Sequence, residues 1–129
     1  MNNKQKAQEW LKRARSNLSK AMSGKSSNEI LYEDLCFDVQ QAVEKALKAL
    51  CIYNSVVPPK THNIEYLIEV LENNNVAVTE EIINSKILTG YAVETRYPGD
   101  YEAVDEEEYL NALEIGKTVL EWIEKITGK

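Results

Sequence analysis

The segment that most constrains this chain is residues 28–54, where apolar side chains recur at helical spacing from end to end. Leu31, Leu35, Val39, Ala42, Ala46, Ala49 and Tyr53 form one stripe, and Cys36, Val43, Leu47 and Leu50 form an adjacent one. Spacings of three and four place each set on one helix face. The combined apolar arc is wide, so this helix needs neighbours on at least two sides, which a bundle supplies. Its remaining face carries Asp34, Asp38, Gln41, Glu44, Lys45 and Lys48. Glu44 and Lys48 stand i,i+4 in the favourable order, worth about 0.2–0.5 kcal/mol on an exposed surface. Ser26 and Glu29 make an S-x-x-E capping pattern at its start, and Val57-Pro58-Pro59-Lys60 breaks it.

The rest of the chain reads as helices too. Ala7, Trp10, Leu11, Ala14, Leu18, Ala21 and Met22 make one stripe of a first helix, and Gly24 is placed to end it in the left-handed conformation. A short third helix starts near Asn63, with Ile64, Leu67, Ile68 and Leu71 inward, and Asn73-Asn74-Asn75 turns the chain. Thr79 caps a fourth helix with Ile83, Ile87, Leu88, Tyr91 and Ala92 on its apolar side, stopped by Pro98-Gly99. Asp105 and Glu108 open a fifth, running to about Thr127 on Ala112, Leu113, Ile115, Val119, Leu120, Trp122, Ile123 and Ile126. No segment of comparable length alternates with period two. The expected fold is all-α: an antiparallel bundle of four long helices plus one short helix, in a single domain over residues 1–129. The apolar arcs of the second and fifth helices ask for more cover than so small a bundle offers. A two-fold dimer burying more than about 1,000 Å² would provide it.

With 129 residues, the chain is long enough to bury a core without staples. Its longest apolar runs, such as Ala49 to Tyr53, fall far short of the ~20 residues that span a bilayer. A charged start, Met1 to Lys6, predicts no signal peptide, so a soluble, cytoplasmic protein without a membrane partner is expected. Cys36 and Cys51 share one helix, about 22 Å apart at ~1.5 Å per residue, beyond disulfide reach. One His and two distant Cys leave no zinc site, and no metal or cofactor is expected.

Charge is unevenly spread. Residues 1–25 carry seven Lys or Arg and one acid, a net of +6, and the remainder carries −12 within the overall −6. So acidic a chain is a poor sequence-nonspecific duplex DNA binder. Its basic first helix is either a solvated face or a surface for phosphate or an acidic partner.

Phosphate-loop and dinucleotide motifs are absent, as is any repeated E-x-x-H pattern of a di-iron bundle. The acids from Asp100 to Glu108 suit a helix start better than a metal site. His62, the only imidazole, follows two prolines and precedes a helix start, a place for a backbone-bonded ring or for a site. Arg96-Tyr97-Pro98 ends the fourth helix with a cation, an aromatic and a stop, where a cation also complements the helix dipole. Lys45 and Lys48 are either solvated or ligand-binding.

Three fragments together carry a family resemblance: Cys36-Phe37-Asp38-Val39-Gln40-Gln41-Ala42-Val43-Glu44-Lys45-Ala46-Leu47-Lys48-Ala49-Leu50, then Pro59-Lys60-Thr61-His62-Asn63-Ile64, then Glu94-Thr95-Arg96-Tyr97-Pro98. In this order, with Trp10 in a first helix, the chain resembles the HEPN domain family over nearly its whole length. The resemblance implies a helical bundle that usually forms homodimers and is linked with nucleotide or RNA binding. It also implies a minimal nucleotidyltransferase as partner, often in a toxin–antitoxin pair. The family's ribonuclease branch carries an R-x(4–6)-H motif, in which Arg holds phosphate and His moves protons. Here no Arg stands four to six residues before His62, no His follows Arg96, and Asp38 replaces the usual His of the second-helix signature. The imidazole of that motif is missing.

The leading expectation is therefore a binding module for nucleotide or RNA, with no catalytic residue assigned. Arg96 and Lys45 would hold phosphate, Tyr97 would stack or hydrogen-bond, and His62 and Gln41 would give polar support. Asp38 is a possible ion-pair partner for Arg96. The alternatives are a metal-independent ribonuclease with a non-standard site using His62 and Arg96, and a purely structural dimerisation domain.

Overall fold

Asn2 starts the first helix by capping: its side chain accepts the Gln5 amide while Gln5 reaches back to the Asn2 amide. The computed structural model describes residues 1–92 and 102–128. Helices α1 (Asn3–Met22), α2 (Tyr32–Tyr53), α3 (Ile64–Asn73), α4 (Glu80–Asn84) and α5 (Glu106–Thr127) follow in order. A 3-10 stretch, Ser85–Ala92, continues α4, and no strand occurs among the described residues. The all-helical expectation is met.

Helix α2 is the centre of the core. Val39, Ala42, Val43, Ala46, Leu47, Ala49, Leu50 and Cys51 are all fully buried along it. Helix α1 lies antiparallel on it, since Asn17 meets Asp38 and Trp10 meets Lys48. Helix α5 runs parallel to α2, with Tyr32 stacked on Tyr109 at 5.3 Å and Val39 against Gly116. That approach is so close that a Cβ on Gly116 would lie 2.7 Å from Val39 Cγ1. Helix α3 and the 3-10 stretch cover α2 elsewhere with Ile64, Leu67, Leu71 and Leu88, each fully buried.

Helix ends follow local chemistry. Gly24 takes φ 65° just after α1, as its position predicts. Both α2 and α3 end in Schellman turns, with Ser55 and Asn75 at positive φ. Val56 N–H donates to Cys51 O and Val76 N–H to Leu71 O. The first of these stops α2 before the prolines are reached. Asn63, Thr79 and Asp105 cap α3, α4 and α5 with their side chains.

Two elements differ from expectation. Helix α2 begins at Tyr32 rather than near residue 28, and Leu31 at its N-cap makes no side-chain bond. The Ser26 and Glu29 capping box does not form. Instead the Glu29 amide donates to Ser27 Oγ and the Ile30 amide to Ser27 O, a local turn that competes with the helix. The fourth helix, expected to run from Thr79 towards Pro98, is α-helical for only five residues. Buried Ser85 donates its hydroxyl to Ile82 O at 2.5 Å, β-branched Ile87 and Thr89 follow, and Gly90 adds backbone freedom. The tighter winding shifts the buried face: Ile82 and Leu88 are buried whereas Ile87 is 60% exposed. Thr89 Oγ1 accepts the Ile64 amide and ties this stretch to the start of α3. Its expected end at Pro98 lies outside the described residues.

Candidate functional site

Beyond exposed Asp34, the polar stripe of α2 is largely covered, with Asp38, Glu44 and Lys48 buried. Helix α1 lies along it, and the stripe divides into two clusters with different charge balance.

The first cluster centres on Glu44, whose side chain is only 4% exposed. Its Oε1 accepts from His62 Nδ1 at 2.9 Å, Gln40 Nε2 at 3.2 Å and Gln41 Nε2 at 3.4 Å. Its Oε2 accepts from Lys48 Nζ at 2.9 Å. Buried Gln40 also donates to the His62 carbonyl at 3.1 Å, and Gln41 donates to Gln40 Oε1 at 2.8 Å. The Lys48 ammonium, on a side chain 11% exposed, sits 5.7 Å from the Trp10 ring centroid, within cation–π range. The Glu44–Lys48 pair is thus a buried ion pair, not the exposed one that its spacing allowed. Opposite a carboxylate that also holds an ammonium, His62 Nδ1 serves as donor. Its ring is 64% exposed.

The second cluster centres on Asn17 of α1. Its Oδ1 accepts from Lys45 Nζ at 2.6 Å and its Nδ2 donates to Asp38 Oδ1 at 3.0 Å. Lys20 Nζ lies 3.2 Å from the same Asp38 oxygen. Lys45 is half-buried, and its pKa is lowered chiefly by that burial. The Lys20 and Arg13 charges also lower it, while Glu44 and Asp38 pull the other way. Lys45 thus sits between two cations and two carboxylates, and its hydrogen bond goes to the Asn17 amide.

Of the residues singled out in the sequence, His62 and Gln41 converge on Glu44. Lys45 turns to Asn17 one helical turn further on. Asp38 takes Lys20 and Asn17 as partners. Arg96 and Tyr97, and with them the expected Asp38–Arg96 pair, lie outside the described residues. Glu44, Asn17, Lys20 and Arg13 had no assigned role. The signal for the last three was present: 13, 17 and 20 share one helix face, as do 38, 41 and 45.

Other polar features are structural. Tyr32 donates to Glu106 at 3.1 Å, Lys25 lies 4.4 Å over its ring, and Tyr109 donates to Ala21 O at 2.5 Å. Tyr91 hydrogen-bonds Glu108, and burial, first, together with that carboxylate raises its pKa. Both cysteines are buried thiols. Among the described residues no group of three or more His, Cys, Asp or Glu is placed to hold a metal ion, and no helix is long and apolar enough to cross a membrane.

Comparison with known proteins agrees with the three sequence fragments. No curated protein matches the chain. The crystal structure of an archaeal HEPN homologue superposes with a TM-score of 0.71 at 24% identity, covering 94% of this chain and 97% of that one. The likeness extends the shared fold over nearly the full length of both. The sequence profile described as the HEPN domain matches residues 7–126, taking in α1 through most of α5 and both polar clusters. A match of that extent, on a bundle whose α2 signature builds the polar stripe, places the chain in the HEPN family.

Proposed function

We propose that this HEPN protein is a nucleotide- or RNA-binding module, acting as a homodimer with a nucleotidyltransferase-type partner in a toxin–antitoxin-like pair. The observation that carries the binding reading is the segregation of charge. In a chain of net −6 the first 25 residues hold +6. Helix α1 presents Lys20 and Asn17 directly to the α2 stripe, where Lys45 is met by an amide instead of a carboxylate. Of the cations on α1, only Arg15 and Lys20 meet a carboxylate among the described residues, and a surplus of cations on a structured face is what a polyanion requires.

The test is fluorescence anisotropy of labelled single-stranded RNA titrated with the full chain across a salt series. Saturable binding whose log affinity falls linearly with log salt is the expected result. No binding at low salt overturns the reading. Light scattering checks the dimer, and a monomer at micromolar concentration refutes that part.

One observation favours the second reading, a ribonuclease with a non-standard site. Glu44 orients the exposed His62 ring through Nδ1, as a carboxylate orients a catalytic imidazole. RNA cleavage that disappears in both His62→Ala and Glu44→Gln would establish that activity. Intact RNA after prolonged incubation with the unmodified protein rules it out.

A further inference from the structure

The cluster around Asn17 has a surplus of charge that its own contacts do not consume. Arg13, Asn17 and Lys20 stand at i, i+4 and i+7 on α1, against Asp38 and Lys45 of α2. Asn17 is fixed at both ends of its amide, by Lys45 Nζ at 2.6 Å and by Asp38 Oδ1 at 3.0 Å. Lys20 meets Asp38 through the same Oδ1 at 3.2 Å. Three cations and one carboxylate leave a local charge of +2. Each ammonium has donors to spare, Lys45 having one acceptor and Lys20 one, and Arg13 meets no acceptor among the described residues. Burial lowers the Lys45 pKa first, and Lys20 and Arg13 add to it against the opposing pull of Glu44, itself held by Lys48, and of Asp38. Like charges held this close repel one another, and an anion between them offsets that repulsion.

We propose that Arg13, Lys20 and Lys45, grouped around Asn17, bind a phosphate monoester: the terminal phosphate of a ribonucleotide or of an RNA end. The inference rests on the nucleotide- or RNA-binding reading and narrows it. Charge decides between ester classes. A phosphate monoester carries about −1.5 to −2 at pH 7, which matches the local surplus. A backbone diester carries a single charge and leaves the cluster unbalanced. The three cations are also of complementary kinds, since Arg supplies a planar fork and the two Lys supply rotatable point charges.

The experiment compares esters on the full-length protein at low salt. One arm titrates an RNA oligonucleotide with a 5′-phosphate against the same oligonucleotide with a 5′-hydroxyl. The other titrates adenosine monophosphate against its cyclic 3′,5′ diester. The monoester is expected to bind about tenfold tighter, the scale of one charge-assisted hydrogen bond. Lys45→Gln and Lys20→Gln should each remove that preference. The Lys20 side chain is 65% exposed, so its replacement leaves the fold intact and keeps the test readable.

A preference in the RNA arm identifies a strand end as the source, and a preference in the nucleotide arm alone identifies a free nucleotide. Binding without preference in both arms overturns the monoester site while leaving the general reading in place. A preference that survives both substitutions overturns the assignment to this cluster. No binding of any probe overturns the inference and the reading together.

Discussion

Replacing Glu44 by Leu tests whether the polar stripe is a buried network. The change removes the acceptor of four side-chain donors and leaves the Lys48 ammonium against the Trp10 ring on a side chain 11% exposed. Breaking one half of a buried ion pair costs about 3–5 kcal/mol, because the other charge stays desolvated. Unfolding a chain of 129 residues carries an entropy of about 270 cal/mol/K near 60 °C, so each kcal/mol moves Tm by about 3.7 °C. Glu44→Leu should therefore lower Tm by about 11–18 °C by calorimetry, with a matching fall in urea midpoint at unchanged slope. The double variant Glu44→Leu/Lys48→Met removes the stranded charge and should recover most of the loss. His62→Ala is the control: its ring is 64% exposed, and its removal should cost no more than about 1 kcal/mol. A single-variant loss below about 1 kcal/mol, the range of surface pairs, would refute the buried network. So would a double variant no better than the single.

The remaining predictions probe other parts of the molecule. Burial pushes the Cys51 thiol from 9.0 up to about 11. The folded state then holds that proton more tightly than the unfolded one, so stability from this group is complete below pH 9 and declines between about pH 9 and 11. Tyr91 and Tyr109, also raised by burial, act in the same direction. Urea midpoints measured from pH 7 to 10.5 should fall only in the alkaline limb, and a flat profile refutes the assignment. Gly116→Ala puts a Cβ 2.7 Å from buried Val39 Cγ1. Overpacking of about 1–3 kcal/mol should outweigh the ~1 kcal/mol gain in helix propensity and lower Tm. Gly90→Ala, with nothing within 4 Å, should not lower it. Lys45→Met should change stability by less than about 1 kcal/mol, since the repulsion from Lys20 and Arg13 that it relieves offsets the attraction to Glu44 and Asp38 that it loses. A loss as large as that of Glu44→Leu would make Lys45 structural.

Much of the fold was legible because its signals are local. Gly24 after α1, the three asparagines after α3, and the Thr79 and Asp105 caps each act through bonds to residues three or four away. The Ser26 and Glu29 box failed for the same kind of reason: Ser27, one residue on, forms its own turn first. The 3-10 stretch was not legible, because Ser85 and Gly90 are weak signals against the apolar spacing of Ile83 and Ile87. Tertiary cover was least legible of all. Periodicity states which residues of α2 share a face, but it does not state that α1 lies over Glu44 and Lys48. Nor does it show that Asn17 is the residue that reaches Lys45.

The α2 stripe carries two arrangements of charge on one helix, and the difference between them is informative. Around Glu44 every carboxylate oxygen has donors and the ammonium has both an acid and an aromatic face. Such a cluster is satisfied internally, and it fastens the His62 end of the α2–α3 connection to the core. Around Asn17 the same helix pairs a lysine with an amide and leaves three cations to one acid. The amide of Asn17 serves both neighbours, donating to Asp38 and accepting from Lys45, where a Glu would set a second carboxylate against Asp38. The proposed phosphate site rests on this contrast between a cluster whose charges are matched and a neighbour on the same helix that keeps a surplus of cations.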